Sequence, residues 1–86
     1  MTKPLIGFCG LTHLGICSAV AAIAKGYKVV CYDSNIDVIN SLKQGLLTIV
    51  EPDVAKVLEN KKKLITFTNN ITEITSCDII YISLDI

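Results

Sequence analysis

Leu5-Ile6-Gly7-Phe8-Cys9-Gly10-Leu11-Thr12-His13-Leu14-Gly15-Ile16 decides how this chain folds. A short apolar run, Leu5 to Cys9, ends at Gly10 and gives way to a longer run with helical spacing. A strand, a tight turn and a helix that opens on a phosphate have this sequence form. The usual pattern is G-x-G-x-x-G. Here Gly10-Leu11-Thr12-His13-Leu14-Gly15 keeps the outer glycines and carries Thr12 in the middle. The first glycine lets the backbone turn sharply, and the last lets helix and strand pack closely. The middle one normally lets the backbone approach a pyrophosphate. Thr12 puts a branched side chain there, and β-branched residues resist positive φ. The turn therefore adapts or holds its ligand farther off. Each charge-assisted hydrogen bond lost to a phosphate forfeits roughly 1.5–3 kcal/mol, a ten- to hundredfold weakening.

Outward from this stretch, the chain alternates strand and helix. From about His13 to Lys25, Ile16, Val20, Ile23 and Ala24 give the i, i+4, i+7, i+8 stripe of a helix, and Gly26 stands where a helix-stopping glycine belongs. Lys28 to Tyr32 reads as the second strand, ending at Asp33. Ser34 with Asp37 three residues on forms a capping-box-like start. The helix it opens carries Ile36, Ile39, Leu42 and Lys43 and stops at Gly45. Leu46 to Val50 reads as an extended connection. Glu51-Pro52-Asp53 starts a third helix, with proline in its first turn and acids at its positive end. Val54, Val57 and Leu58 form its buried stripe. Lys61-Lys62-Lys63 falls at its negative end, as a solvated face rather than a basic patch.

Leu64 to Thr68 is the third strand, and Asn70 to Glu73 caps a short helix ending near Ser76. Asp78 to Leu84 is the fourth strand, apolar on both faces. The order βαβααβαβ predicts an α/β, Rossmann-like parallel sheet flanked by helices. Right-handed crossovers then set the strand order 3-2-1-4. The 86 residues are expected to form one domain, the N-terminal part of something longer, because a full six-stranded fold would continue past the fourth strand.

Bulk properties narrow the classes. The net charge is zero and there is no arginine, which argues against nucleic acid and anionic membrane as partners. No run reaches the roughly 18 apolar residues needed to span a bilayer. Lys3, an apolar stretch and Ala22-Ile23-Ala24 have the outline of a signal peptide, but Gly7, Gly10, His13 and Gly15 interrupt the apolar region. Cys9, Cys17, Cys31 and Cys77 form no C-x-x-C pair, and His13 is the single histidine, so no metal site is expected. Cys9 and Cys31 fall inside strands, where a free thiol acts as a small hydrophobe. Reduced, inert thiols and a cytoplasmic setting follow.

Ligands of open parallel sheets bind beyond the carboxyl ends of the strands, where strand order reverses. Here that point lies between strands one and four. It gathers Gly10, Leu11, Thr12, His13, Leu14, Gly15, Asp33 and Ser83 as the expected cofactor-binding residues. Asp33 closes the second strand 23 positions after Gly10, near the spacing of about 20 found in dinucleotide sites. Its carboxylate can accept from the adenosine ribose hydroxyls and would repel a 2′-phosphate, favouring NAD over NADP. The plainer reading is a helix-preceding acid at a strand end. His13 lies in the first helical turn, close to any pyrophosphate, where it could supply a proton-dependent charge; such a residue is more often simply exposed. It has no identifiable partner for base catalysis, and no catalytic residue is expected in this stretch. Tyr32 and Tyr81 are expected to pack against the sheet.

The combined pattern resembles the N-terminal NAD-binding domain of the UDP-glucose/GDP-mannose dehydrogenase family. Ile6 to Gly15 looks like the family's I-x-x-x-G-x-G-Y-V-G opening, and Lys25-Gly26-Tyr27-Lys28-Val29 is similar to its K-G-H-x-V. Tyr32-Asp33-Ser34-Asn35 resembles its strand-end D-x-[ND]. Ile49-Val50-Glu51-Pro52-Asp53-Val54 looks like its I-x-E-P-G-L segment, an insertion that generic dinucleotide folds lack. Ser83-Leu84-Asp85-Ile86 occupies the place of its V-x-T-P segment. The chain departs from the family at Thr12 and at Asp53, each of which replaces a glycine. The resemblance implies NAD-dependent oxidation of a nucleotide-sugar alcohol, such as UDP-glucose, to the uronate, a 6-dehydrogenase reaction serving polysaccharide biosynthesis. It places the catalytic cysteine and lysine and the nucleotide-sugar contacts in later domains, so the 86 residues alone are expected to be inactive.

Two other readings stand beside it. Thr12 and the short length suit a non-catalytic Rossmann-like module with weakened nucleotide binding or an interaction role. A 3-hydroxyacid or 6-phosphogluconate-type dehydrogenase would share fold and cofactor but not the Glu51-Pro52 insertion. An isolated half-fold also exposes a sheet face and the flank of its fourth strand, so a homo-oligomer is a further expectation.

Overall fold

A computed structural model describes residues 3–11, 13–43 and 52–83, without the side chains of residues 13–14 and 52–55. The expectations on Thr12, Leu46 to Val50, Glu51 and Leu84 to Ile86, and on the side chains of His13, Leu14, Asp53 and Val54, lie outside the described residues.

Four strands, β1 (Ile6–Cys9), β2 (Val29–Tyr32), β3 (Ile65–Thr68) and β4 (Ile79–Ile82), form one sheet. Its order is β3-β2-β1-β4, and every pairing is parallel. The helices are α1 (His13–Ala24), α2 (Ile36–Lys43) and α3 (Pro52–Asn60). Short 3₁₀ turns at Lys62–Leu64 and Ile71–Ser76 lead into and out of β3. The 3-2-1-4 order expected from the alternation is the order found.

Alternation along the strands splits the sheet into two faces. Ile6, Phe8, Val29 and Cys31 face α1 and α2 and join Ile16, Ala19, Val20, Ile23, Ile39 and Leu42 in one core cluster. Val57 and Leu58 of α3 are half-buried against it. On the other face, a Cβ on Gly7 would stand 2.9 Å from Cys77 Sγ and 3.1 Å from Ile74 Cδ1. The Ile71–Ser76 turn therefore lies close on the sheet there. In α1, Ala19 takes a buried position and Ala24 is exposed, while Ile23 beside it is fully buried. In α2, Ile36 and Lys43 are likewise exposed.

The helix ends show how local sequence sets the boundaries. At the end of α1, the Gly26 N–H donates to Ile23 O at 2.9 Å and the Tyr27 N–H to Ala22 O at 3.1 Å. This is a Schellman closure, with Gly26 at φ +90°. Lys3 reinforces that end: its Nζ donates to Lys25 O at 3.1 Å and lies 5.4 Å from the Tyr27 ring centre. The start of α2 corrects the expectation of a Ser34 cap. Asn35 Oδ1 accepts the Asp37 N–H at 2.9 Å, so Asn35 is the capping residue. Asn70 accepts the Thr72 N–H at 3.1 Å, as expected, although the helix it caps is 3₁₀. Pro52 is the first residue of α3, and Lys61, Lys62 and Lys63 are exposed beyond its end.

Strand β4 stands at an edge of the described sheet, with the exposed flank expected of the fourth strand. Its apolar run reads as a central strand, and among the described residues it is one of the two edge strands, with β3 at the other edge. Ile79, Ile80, Tyr81 and Ile82 are 42%, 44%, 55% and 71% exposed. Tyr81 stacks on Phe8, ring centres 5.4 Å apart, and Tyr32 is half-buried. The base of β4 is stapled to the N-terminal segment: Leu5 N–H donates to Asp78 Oδ2 at 2.8 Å, and Asp78 N–H donates to Leu5 O at 2.8 Å.

Candidate functional site

The carboxyl ends of the four strands are drawn together one residue past the sheet proper. Gly10 N–H donates to Tyr32 O at 2.9 Å, Asp33 N–H to Thr68 O at 3.2 Å, and Ser83 N–H to Cys9 O at 2.8 Å. Gly10, Asp33, Thr68 and Ser83 thus stand side by side along one edge, where α1 begins. The parallel ladder places them there, since Thr68 is the last residue of β3 and the other three each follow the last residue of their own strand.

Gly10 and Gly15 set the spacing. Gly10 has φ +89°, a left-handed conformation that favours glycine, and a Cβ on it would collide with the carbonyl oxygen of Ser83. A Cβ on Gly15 would collide with the Gly10 carbonyl oxygen and stand 3.4 Å from Ser83 Cβ. These two glycines therefore let strand tip, helix start and β4 tip touch as bare backbone. That is the role the outer glycines of the pattern predict. Leu11 follows with its side chain buried, 8% exposed, in the core. His13 and Leu14 supply the first backbone turn of α1.

The first N–H groups of a helix have no partner within it, and the helix dipole makes that end attractive to anions. No acidic residue occupies the first turn of α1. The nearby acid is Asp33, half-buried at the end of β2. Its Oδ2 accepts the Leu11 N–H at 3.0 Å and its Oδ1 accepts the Asn35 N–H at 2.9 Å. The carboxylate is turned toward the glycine turn, and each oxygen has lone-pair capacity beyond the single hydrogen bond named here.

Sequence reasoning brought together Gly10, Leu11, Gly15, Asp33 and Ser83, and the structure places them at one end of the sheet. It missed Thr68, a buried polar residue, 7% exposed, whose carbonyl accepts from Asp33 and whose Oγ1 accepts the Asn70 N–H at 3.0 Å. Its signal was available: it ends β3 in register with Tyr32, one residue before Asp33.

All four cysteines are free. Burial pushes the Cys31 thiol up to about 12, with the nearby Cys77 adding to the rise. Burial also raises Cys77, helped by Cys9 and Asp78, and raises Cys9. A thiolate is the reactive form, and these shifts favour the protonated thiol at all three positions. Among the described residues, no group of three His, Cys, Asp or Glu could hold a metal ion. No helix among them is long and apolar enough to cross a membrane.

A model of the UDP-glucose/GDP-mannose dehydrogenase family, NAD binding domain, matches residues 4–85. The chain belongs to this family. The cofactor of the domain is NAD. The chain is 38% identical over 81 residues to the UDP-glucose 6-dehydrogenase TuaD of Bacillus subtilis, covering 91% of this chain and 18% of that protein. It is 33% identical over 54 residues to a UDP-N-acetyl-D-mannosamine dehydrogenase of Pyrococcus horikoshii, covering 63% of this chain and 13% of that protein. The chain thus spans less than a fifth of the length of either relative. Among solved structures, a UDP-glucose dehydrogenase of Pyrobaculum islandicum superposes with a TM-score of 0.85 at 24% identity, over 96% of this chain and 20% of that one. That likeness shows the shared dehydrogenase fold.

Proposed function

We propose that this NAD-binding domain is the cofactor-holding part of an oxidoreductase that oxidises a nucleotide sugar, UDP-glucose or a close analogue, to the uronate. The observation that carries the reading is Asp33. Its carboxylate lies against the turn between two side-chain-free glycines, in a chain of this family. In this reading the diphosphate of NAD rests on the backbone from Gly10 to Gly15, including Leu11, Thr12, His13 and Leu14, at the positive end of α1. Asp33 accepts from the adenosine ribose hydroxyls, and Ser83 lines the crevice from the tip of β4. Bound NAD supplies the hydride acceptor.

The residues present suit that cofactor. Gly10 and Gly15 let the start of α1 close directly onto the tips of β1 and β4, where any Cβ would meet backbone. Asp33 would repel a 2′-phosphate, and the chain has no arginine to receive one, which favours NAD over NADP. The nucleotide sugar and the catalytic groups belong to segments beyond these 86 residues, so the chain alone binds NAD and turns over no substrate. A cytoplasmic, homo-oligomeric enzyme of polysaccharide biosynthesis, with no nucleic-acid or membrane partner, completes the proposal.

Calorimetric titration of the full chain tests it, with expected saturable NAD binding at micromolar level and NADP at least tenfold weaker. Thr12→Gly tightens NAD by restoring the close backbone approach. A whole protein carrying this domain reduces NAD when given UDP-glucose or a related nucleotide sugar. Failure of both binding and reduction leaves the non-catalytic module.

A further inference from the structure

We propose that Asp33 is a positioning residue as well as a ribose ligand: its carboxylate holds the Leu11 amide, the first step past Gly10, in place before any cofactor arrives. This rests on the reading of the crevice as a dinucleotide site and adds a second role to one of its residues. Asp33 Oδ2 takes the Leu11 N–H at 3.0 Å while Oδ1 takes the Asn35 N–H at 2.9 Å. Its own N–H is tied to Thr68 O. One side chain therefore links the tip of β1, the start of α2 and, through its backbone, the tip of β3. Leu11 is fixed twice, by its side chain in the core and by its amide on the carboxylate.

The charge argument gives the proposal a sign. A carboxylate beside a diphosphate site repels the ligand through space. If Asp33 served the ribose alone, removing its charge would leave unchanged or tighten a diphosphate that carries no ribose hydroxyls. If Asp33 holds the turn, removing it weakens that same ligand. Asparagine is a sufficient change despite its equal size. It has one acceptor oxygen where the carboxylate has two, so it cannot serve both Leu11 and Asn35. The loss of a charge-assisted hydrogen bond to an ordered backbone sets the scale at about tenfold or more.

The experiment compares the full chain with its Asp33→Asn variant. Calorimetry measures ADP and 2′,3′-dideoxy-ADP, and amide hydrogen exchange at Leu11 is followed without ligand. The expected result is dideoxy-ADP weakened at least tenfold by the substitution and ADP weakened further. Leu11 should exchange at least tenfold faster. Dideoxy-ADP binding that is unchanged or tighter overturns the proposal, as does unchanged Leu11 exchange. If neither nucleotide binds the parent chain, the dinucleotide reading fails, and Leu11 exchange alone decides whether Asp33 holds the turn. A second variant guards against misfolding: a chain ligated chemically at Cys17 with an ester in place of the Gly10–Leu11 amide. It deletes the donor and leaves Asp33 intact, and should weaken ADP and dideoxy-ADP by the same factor. Unchanged affinity for both in the ester chain also overturns the proposal.

Discussion

Gly15 sits inside a helix, where alanine is normally worth about 0.5–1 kcal/mol more than glycine. Here the new methyl group would meet the Gly10 carbonyl and approach Ser83 Cβ, and backbone cannot swing aside as a long side chain can. Gly15→Ala should therefore destabilise the chain by about 1–3 kcal/mol, the range of core overpacking, as read by urea denaturation. A gain in stability would show that α1 can slide away from the strand tips. Cys31 makes a pH prediction of definite sign. Its folded pKa of about 12 exceeds the unfolded value of about 8.5. Over that interval the unfolded chain has lost a proton the folded chain keeps. Stability is then fully present below about pH 8.5 and falls as pH rises toward 12, by at most about 1.4 kcal/mol per pH unit. Cys31→Ala should flatten that slope in denaturation curves taken between pH 8 and 11.

The elements were legible where sequence and local physics coincide. The strand runs are apolar and bounded by Gly10, Asp33 and Asn70, and Gly26 stops α1 through a closure needing only its neighbours. Legibility failed in two places. Ser34 and Asn35 are both competent caps; what separates them is the Asp33 carboxylate, which draws the Asn35 N–H to itself and turns the backbone so that Asn35 faces Asp37. The link from Asp33 to Leu11 was hidden because it spans 22 residues and exists only once β1 and β2 are neighbours. Asn35→Ala should cost about 0.5–2 kcal/mol, whereas Ser34→Ala should stay within about 0.5 kcal/mol. Thermal unfolding of the two variants side by side checks the assignment, and equal losses would restore Ser34 as the cap.

Across the molecule, apolar content and burial part company at β4. The core lies on the α1 and α2 face, where Ile23 and Ile39 are fully buried, while Ile82 at the other edge is 71% exposed. Ile82→Lys should accordingly leave the stability of the full chain within about 0.5 kcal/mol. Ile23→Ala should cost about 2–5 kcal/mol from lost transfer energy and a residual cavity. Chemical denaturation distinguishes the two, and a large loss at Ile82 would mean that β4 is covered in solution. The six-stranded expectation treated β4 as central because a run apolar on both faces suits a strand covered on both; the sequence pattern carries no information on which chain does the covering.

The staple between Leu5 and Asp78 lies at the opposite end of the strands from Gly10 and Ser83. Four residues of extended chain lie between the two ends, which puts them roughly 16 Å apart at strand rise. An affinity handle or dye attached at Lys3 thus sits toward the amino ends of the strands. A protein fixed to a sensor chip by that end would present its crevice outward to the flowing analyte.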